Sequence, residues 1–306
     1  MCMIDHETAL FVLMYRQSQY IDEMVAAVNA QTVLPGVLYV CLDRPTVLER
    51  KTTEESLKAY TGEYSILSMD DLPDYMGNPN TYEGETMFLA GFRRNQAIDI
   101  AINERPGLNG FVFIDGDCIP DTGLIEEHGR LLKGAVPLIL IGRRREDKHN
   151  GNDQRELAKP LEQYRFFDFD TQVLTESYLF ESSSVVWSCN VSFNRKSIDA
   201  LKHFNRKYYE RDEVFSSEFN GTWGGEDTFL GMEARLCSIP VVLISGEKSG
   251  VWHKNHPRPA RKYGIDSSHR FVSSVYRALL TVMRNDALKI EDFESMYNGA
   301  RPTISL

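Results

Sequence analysis

The sequence predicts a doubly wound α/β fold, and three features carry that expectation. Residues 9–15, ALFVLMY, are a short unbroken apolar run, the pattern of a strand buried on both faces. Residues 20–31, YIDEMVAAVNAQ, then place Ile21, Met24, Val25 and Val28 at helical spacing, and residues 37–43, VLYVCLD, return to the strand pattern. A helix between two strands supplies the long crossover that parallel pairing needs. The third feature is GFVFIDGDCIP at residues 110–120. There Phe111, Val112, Phe113 and Ile114 end in two carboxylates, as a parallel strand does when its carboxyl end opens on a ligand crevice.

The other elements follow in order. Pro35 and Gly36 are expected to stop the first helix before the second strand. YSILSM at 64–69 reads as a third strand, residues 70–85 as a loop rich in turn formers, and residues 86–103 as a helix leading into the strand at 110. A helix over 122–133 precedes a strand in VPLILIG, 136–142, and the polar stretch 143–159 after it is the best candidate for a mobile loop. SSVVWSCNVSFNR, 183–195, alternates as a strand pair does; KSIDALKHF, 196–204, reads as a short helix and IPVVLIS, 239–245, as another buried strand. SSVYRALLTVMRND, 273–286, again has helical spacing. The expected organisation is one main domain over 1–258 with a helical extension over 259–306 packed on it.

A chain of 306 residues can build one large α/β core. Its net charge of −10 argues against a surface that grips nucleic acid over its whole extent, although Arg143, Arg144 and Arg145 and the stretch 253–262 concentrate positive charge in what read as solvated loops. Five cysteines, odd in number and scattered without a CxxC pair, form no disulfide framework and point to a reducing compartment. The apolar run at 9–14 sits behind Asp5 and Glu7, the wrong charge and length for a signal peptide. No stretch approaches the roughly 18 apolar residues of a membrane span. A soluble, cytoplasmic protein is expected.

Three places concentrate chemistry. Asp115 and Asp117 fall on one side of an extended chain, with Gly116 leaving room between them, and two hard oxygen donors with an open approach suit Mg2+ or Mn2+. The alternative duty of the pair is to cap the helix after Pro120. In FNGTWGGEDTFLGMEARLCSIP, 219–240, Gly224 and Gly225 make a turn, and Glu226 and Asp227 enter the first turn of a helix. The dipole there stabilises their charge; alternatively one is a general base while the other orients a substrate. Finally SGVWHKNHP, 249–257, reads as a loop after the strand at 241–244, and offers His253 or His256 as a third metal ligand.

Taken in order, these pieces resemble the GT-A fold nucleotide-sugar glycosyltransferases, most of all the large inverting family 2, and the Gly-Gly-Glu-Asp stretch is also similar to galactosyltransferases. The resemblance spans residues 9–257 and rests on ALFVLMYRQS with NAQTVLPGVLYVCLD, AGFRRNQAIDIA, FVFIDGDCIPD, SCNVSFNRKSI, WGGEDTFLGMEARL and VWH. It implies a Rossmann-like, mostly parallel central sheet flanked by helices. It also implies metal-dependent transfer of a sugar from a nucleoside diphosphate sugar, a UDP-sugar first, to an acceptor hydroxyl with inversion. By resemblance Asp115 and Asp117 match the DxD motif, the first meeting ribose or metal and the second the metal that bridges the donor diphosphate. His253 matches the late histidine that completes the metal site, Asp227 the catalytic base, and Glu226 a contact to donor sugar or acceptor. Tyr15 and Asp43 match positions that hold the nucleotide base, Arg94 an arginine near the diphosphate, and Trp223 a further donor contact.

Two departures stand out. CLDRP leaves only Asp43 where the family has Asp-Asp-Gly-Ser, and Arg16 and Gln17 stand where an asparagine is common. Retention is the alternative to inversion, because related retaining enzymes share the fold, the DxD and a Gly-Gly-Glu turn, and the acceptor stays open among a glycan, a lipid-linked glycan and a hydroxymethylated base in DNA. The readings outside this class are a nucleotidyltransferase and a non-catalytic nucleotide-sugar binding module. The first calls for a glycine-rich basic loop after strand one, which YRQSQYIDE does not supply.

Overall fold

A computed structural model describes residues 3–70, 89–146, 186, 188–219, 226–244, 246 and 248–254. The expected loop at 70–85, most of the polar stretch at 143–159, Trp223, His256 and the extension at 259–306 lie outside them, apart from the first residue or few of the two stretches.

The chain begins with β1 (Met3–Met14), α1 (Ile21–Asn29), β2 (Val33–Asp43), α2 (Val47–Leu57) and β3 (Tyr64–Met69). It continues with α3 (Ala90–Glu104), β4 (Gly110–Asp115), β5 (Cys118–Pro120), α4 (Leu124–Leu132), β6 (Ile139–Ile141) and β7 (Arg144–Glu146). β8 (Asn190–Asn194), α5 (Arg195–Tyr209), α6 (Glu226–Leu236), β9 (Val241–Leu243) and β10 (Val251–His253) complete the described elements. Seven strands form one sheet in the order β3-β2-β1-β4-β8-β6-β9. β1 to β4 are parallel, β8 runs antiparallel to both β4 and β6, and β9 is parallel to β6. The expected mostly parallel sheet flanked by helices is the architecture seen.

The period-two alternation of β1 divides the core. Ala9, Phe11 and Leu13 face a layer with Ala97, Ile98 and Ala101 of α3, Ile198 and Leu201 of α5, and Leu230 and Ala234 of α6. Leu10, Val12 and Met14 face the opposite layer, with Ile21, Met24, Val25 and Val28 of α1 and Leu124, Ile125 and Leu132 of α4. Burial on both faces is why the strand reads as a continuous apolar run. Aromatic rings reinforce the centre: Phe11 stacks on Tyr39 at 5.0 Å and on Phe113 at 4.5 Å between ring centroids.

Several boundaries differ from the sequence expectation. Pro35 and Gly36 do not stop α1 but lie inside β2, where the β1 register shifts between Asp5 and Ala9. A bulge tolerates proline, and a Cβ on Gly36 would sit 2.8 Å from the Cα of His6, so glycine is what lets the two backbones approach. Helix α2 was not anticipated: only Thr53 and Leu57 of it are buried, so its sequence lacks an apolar face. Of 183–195 one strand, β8, is described, and the short helix after it extends to Tyr209. Arg144 and Arg145 belong to a strand instead of a loop. So does the segment holding His253, because β10 pairs antiparallel with β5 and parallel with β7 in a second, three-stranded sheet.

The sheet order fixes where a site can form. β2 and β3 lie on one side of β1 and β4 on the other, so the direction of winding reverses between β1 and β4. An open α/β sheet of this order places its ligand crevice at the carboxyl ends of these two strands.

Candidate active site

At that crevice β4 ends in Asp115, which is in register with Leu13 of β1. Residues 116 and 117 form a turn, so the strand alternation that would put both aspartates on one side stops at Asp115. A side chain in this turn would be crowded: a Cβ on Gly116 would lie 2.8 Å from Met14 Cγ and from Gln17 Oε1 and 3.2 Å from the Leu13 carbonyl oxygen. The turn is also tied back to β1 by a hydrogen bond from the Gly116 amide to that carbonyl, 2.7 Å.

The two aspartates consequently have different partners. Asp117 accepts a hydrogen bond from Gln17 Nε2 at 2.8 Å, and its Oδ2 lies 3.4 Å from His253 Nε2. The small sheet makes that meeting possible by pairing His253 with Cys118, and the Lys254 amide donates to the Asp117 carbonyl at 2.7 Å. Asp115 turns instead to Arg94, whose Nη2 donates to Oδ1 at 2.7 Å. Its side chain is 32% exposed, and desolvation by the groups packed around it raises its pKa. The Arg94 guanidinium pulls the pKa back, the Asp117 charge raises it further, and Arg144 lowers it. Arg144 is thus a fourth charge at the site, from the stretch read as a solvated loop.

Arg94 joins the two acidic groups. It is 1% exposed on α3, and its Nη1 lies 3.7 Å from Glu226 Oε1 at the start of α6. Its guanidinium stands 5.4 Å from the centroid of the Phe215 ring. Phe215 is held there by the neighbouring Asn95, whose Oδ1 accepts from the Val214 and Phe215 amides and whose Nδ2 donates to the Phe215 carbonyl. Among the described residues Arg94 Nε and Nη1 and Glu226 Oε2 are buried without a hydrogen-bond partner. Burial first, and then the charge of Asp227, push the Glu226 carboxyl up to about 8, with Arg94 offsetting part of the rise, so Glu226 holds a proton at neutral pH. Asp227, the next residue, is half-buried.

Tyr15 and Asp43 close the crevice on the β1 and β2 side. The guanidinium groups of Arg16 and Arg44 each lie 5.3 Å from the centroid of the Tyr15 ring. Asp43 is paired with Arg93 and Arg44. The structure therefore brings together Asp115, Asp117, His253, Arg94 and Glu226. It adds Gln17, Asn95, Arg93 and Arg144, of which the sequence marked Gln17 only as a departure from a common asparagine and Arg144 only as part of a basic stretch. For Arg93 the signal was present, since two adjacent arginines inside the buried face of α3 need partners.

No family model matches the chain, and no curated protein does. Solved structures do. S. aureus TarS 1-349 in complex with UDP aligns over 98% of this chain and 72% of its own, at 14% identity and a TM-score of 0.56. The chain has the GT-A fold. The same TarS fragment in complex with UDP-GlcNAc gives a TM-score of 0.50 at 14% identity over 96% of this chain and 79% of its own. Against the longer S. aureus TarS structure the TM-score is 0.50 and the identity 16%, over 82% of this chain. The chain spans 37% of that protein. In GT-A terms, the crevice described here lies at the carboxyl ends of the parallel strands, where open α/β sheets bind ligands.

Proposed function

We propose that this chain is a metal-dependent glycosyltransferase, moving a sugar from a UDP-sugar to an acceptor hydroxyl with inversion. The observation that carries the reading is the convergence at one crevice of Asp117 facing His253, Asp115 facing Arg94, and Glu226 and Asp227 at the start of α6. The binding of UDP and UDP-GlcNAc by TarS, which shares the fold, supports the donor class.

The donor set fits a divalent ion. A carboxylate oxygen and an imidazole nitrogen 3.4 Å apart suit Mn2+ or Mg2+, and among the described residues no group of three His, Cys, Asp or Glu is gathered to enclose a metal. Two protein donors leave positions for diphosphate oxygens. When bound, the metal would neutralise charge on the departing nucleoside diphosphate. Gln17 holds the Asp117 carboxylate in place, and Arg94, with two buried donor groups that make no hydrogen bond, supplies positive charge and hydrogen bonds at the donor. Asp227 takes the acceptor proton as general base. Glu226, protonated beside it, offers a donor hydrogen bond to a sugar or acceptor hydroxyl and adds no second negative charge.

A glycan or lipid-linked glycan is favoured over modified DNA as acceptor. Arg145 donates to Asp121 at 2.6 Å and stands over the Trp252 ring at 5.2 Å, so its charge is compensated within the fold. Among the described residues no helix is long and apolar enough to cross a membrane, and Cys41, Cys118, Cys189 and Cys237 are free thiols, which supports a cytoplasmic setting.

The deciding experiment is nucleotide release from a panel of nucleotide sugars with and without Mn2+, comparing wild type with Asp117→Ala. Metal-dependent release that the substitution abolishes is the expected result. Failure of every nucleotide sugar to bind or react in the presence of metal would overturn the reading.

A further inference from the structure

All three strands of the small sheet, β5, β7 and β10, are three residues long. Backbone ladder bonds are the same whichever residues they join, so strands this short do not choose their own register. A slip of one residue would turn every side chain to the other face. His253 meets Asp117 in the register observed, with Val251 opposite Arg144 and His253 opposite Cys118. After such a slip Trp252 would take its place.

Asn190 ties this sheet to the large one. It begins β8 in register with Ile114, the residue before Asp115, and is fully buried. Its Nδ2 donates to the Arg143 carbonyl and to the Ser249 carbonyl, both at 3.0 Å. Arg143 directly precedes β7, Ser249 stands two residues before β10, and the Val251 amide donates to the same Arg143 carbonyl at 2.8 Å. Two carbonyls can be met only by the amide NH2 group, so the orientation of the side chain is fixed, and among the described residues Oδ1 makes no hydrogen bond. Gly142 clears the space: a Cβ there would lie 2.6 Å from Asn190 Cγ. The tie from Trp252 Nε1 to Asp121, 3.0 Å, is exposed and competes with water, whereas breaking the buried one strands polar groups away from it.

We infer that Asn190 is a positioning residue for the metal site, its buried amide fixing the register of β7 and β10 and so keeping His253 against Asp117. This rests on the metal-dependent reading above and assigns the side chain that holds its two protein donors together.

Amide hydrogen exchange in chelator and Mn2+ affinity in the presence of UDP test it. Asn190→Ala is expected to speed exchange of the Val251 and Lys254 amides about tenfold. It should also lower Mn2+ affinity by about 10–100-fold, the usual loss when a group that orients a metal ligand is removed. In a His253→Ala background the same substitution should change Mn2+ affinity by less than about threefold, because the ligand it positions is already gone; general loosening of the fold would cost both backgrounds alike. Gly142→Ala, which presses on the Asn190 side chain from the end of β6, should reproduce both effects and serves where Asn190→Ala does not fold. Unchanged exchange, or equal losses of affinity in the two backgrounds, would overturn the role of Asn190 and leave the glycosyltransferase reading intact. A wild type that binds no Mn2+ would remove the metal-dependent reading and this role with it.

Discussion

Glu226 and Asp227 are consecutive carboxyl groups with opposite tasks, and the difference is set by surroundings. Glu226 is 4% exposed, lies beside Arg94 and holds its proton to about 8, whereas Asp227 is half-buried on a diverging direction of the same helix turn. A neutral carboxyl group is well imitated by an amide. Glu226→Gln is therefore expected to keep kcat within about threefold of wild type at pH 7, while Asp227→Asn lowers kcat by about 10²–10⁴, the usual worth of a general base. Steady-state transfer assays of both variants check this, and equal losses would remove the division of roles. At this scale the residue types of the site were legible: the spacing in FIDGDC and the Gly-Gly-Glu-Asp turn picked out four of its acidic groups. Their partners were not. Gln17, just beyond β1, and Arg144 of β7 meet the aspartates, and no local pattern encodes a contact between residues 100 positions apart, as Gln17 and Asp117 are. Asp43 shows the reverse case, a carboxylate correctly placed at a strand end whose oxygens the fold gives to arginines.

Short elements aim the site. Gly116 is the clearest, because a side chain there would press on Met14 and Gln17 and shift both flanking aspartates. Gly116→Ala is expected to cost about 1–3 kcal/mol in unfolding free energy and to abolish Mn2+-dependent nucleotide release; wild-type-like values in both would show the turn to be more yielding than its geometry implies. Helix α2 illustrates a different dependence. It is polar along most of its length, and its start is set by a reciprocal cap in which the Glu49 amide donates to Thr46 Oγ1 at 3.2 Å and the Thr46 amide donates to Glu49 at 2.8 Å. Thr46→Ala is expected to lower stability by about 1 kcal/mol in denaturant unfolding, with nucleotide affinity reduced little. This helix also shows why some elements escaped the sequence reading. Apolar periodicity finds helices that pack by a broad face, as α1 does, and passes over one that buries two residues; the Thr-x-x-Glu cap was its only local signal. β10 escaped for a similar reason. Three residues carry no usable period, and its strand character comes from pairing with β5 and β7, which are as short.

Among the described residues the fold buries several acidic groups and His128, and together they shape stability against pH. His128 is fully buried with Nδ1 2.7 Å from Ser192 Oγ, and burial pushes its pKa down to about 4. Between about 4 and the ordinary value near 6.5 the unfolded chain binds a proton that the native chain does not, so this group makes stability rise with pH there. Glu226 has the opposite sign. From about 4.5 to about 8 the native chain keeps a proton that the unfolded chain has released, so stability falls as pH rises. Asp115 and Glu233, both raised by burial, add to the fall. Below about pH 6.5 the histidine opposes the acids; above it nothing in this group does, and each unshared proton is worth about 1.4 kcal/mol per pH unit. In the presence of a chelator the melting temperature is therefore expected to change gently between pH 5 and 6.5 and to drop between 6.5 and 8. Glu226→Gln should flatten the alkaline limb, and His128→Asn should steepen the acid one. Adding Mn2+ with UDP should oppose the alkaline fall, because ligands of this kind bind the ionised carboxylates that the empty fold disfavours. A wild-type melting temperature that climbs from pH 6.5 to 8 in chelator would mean that these carboxyl groups are ionised in the native chain, and the proton assigned to Glu226 would have to be given up.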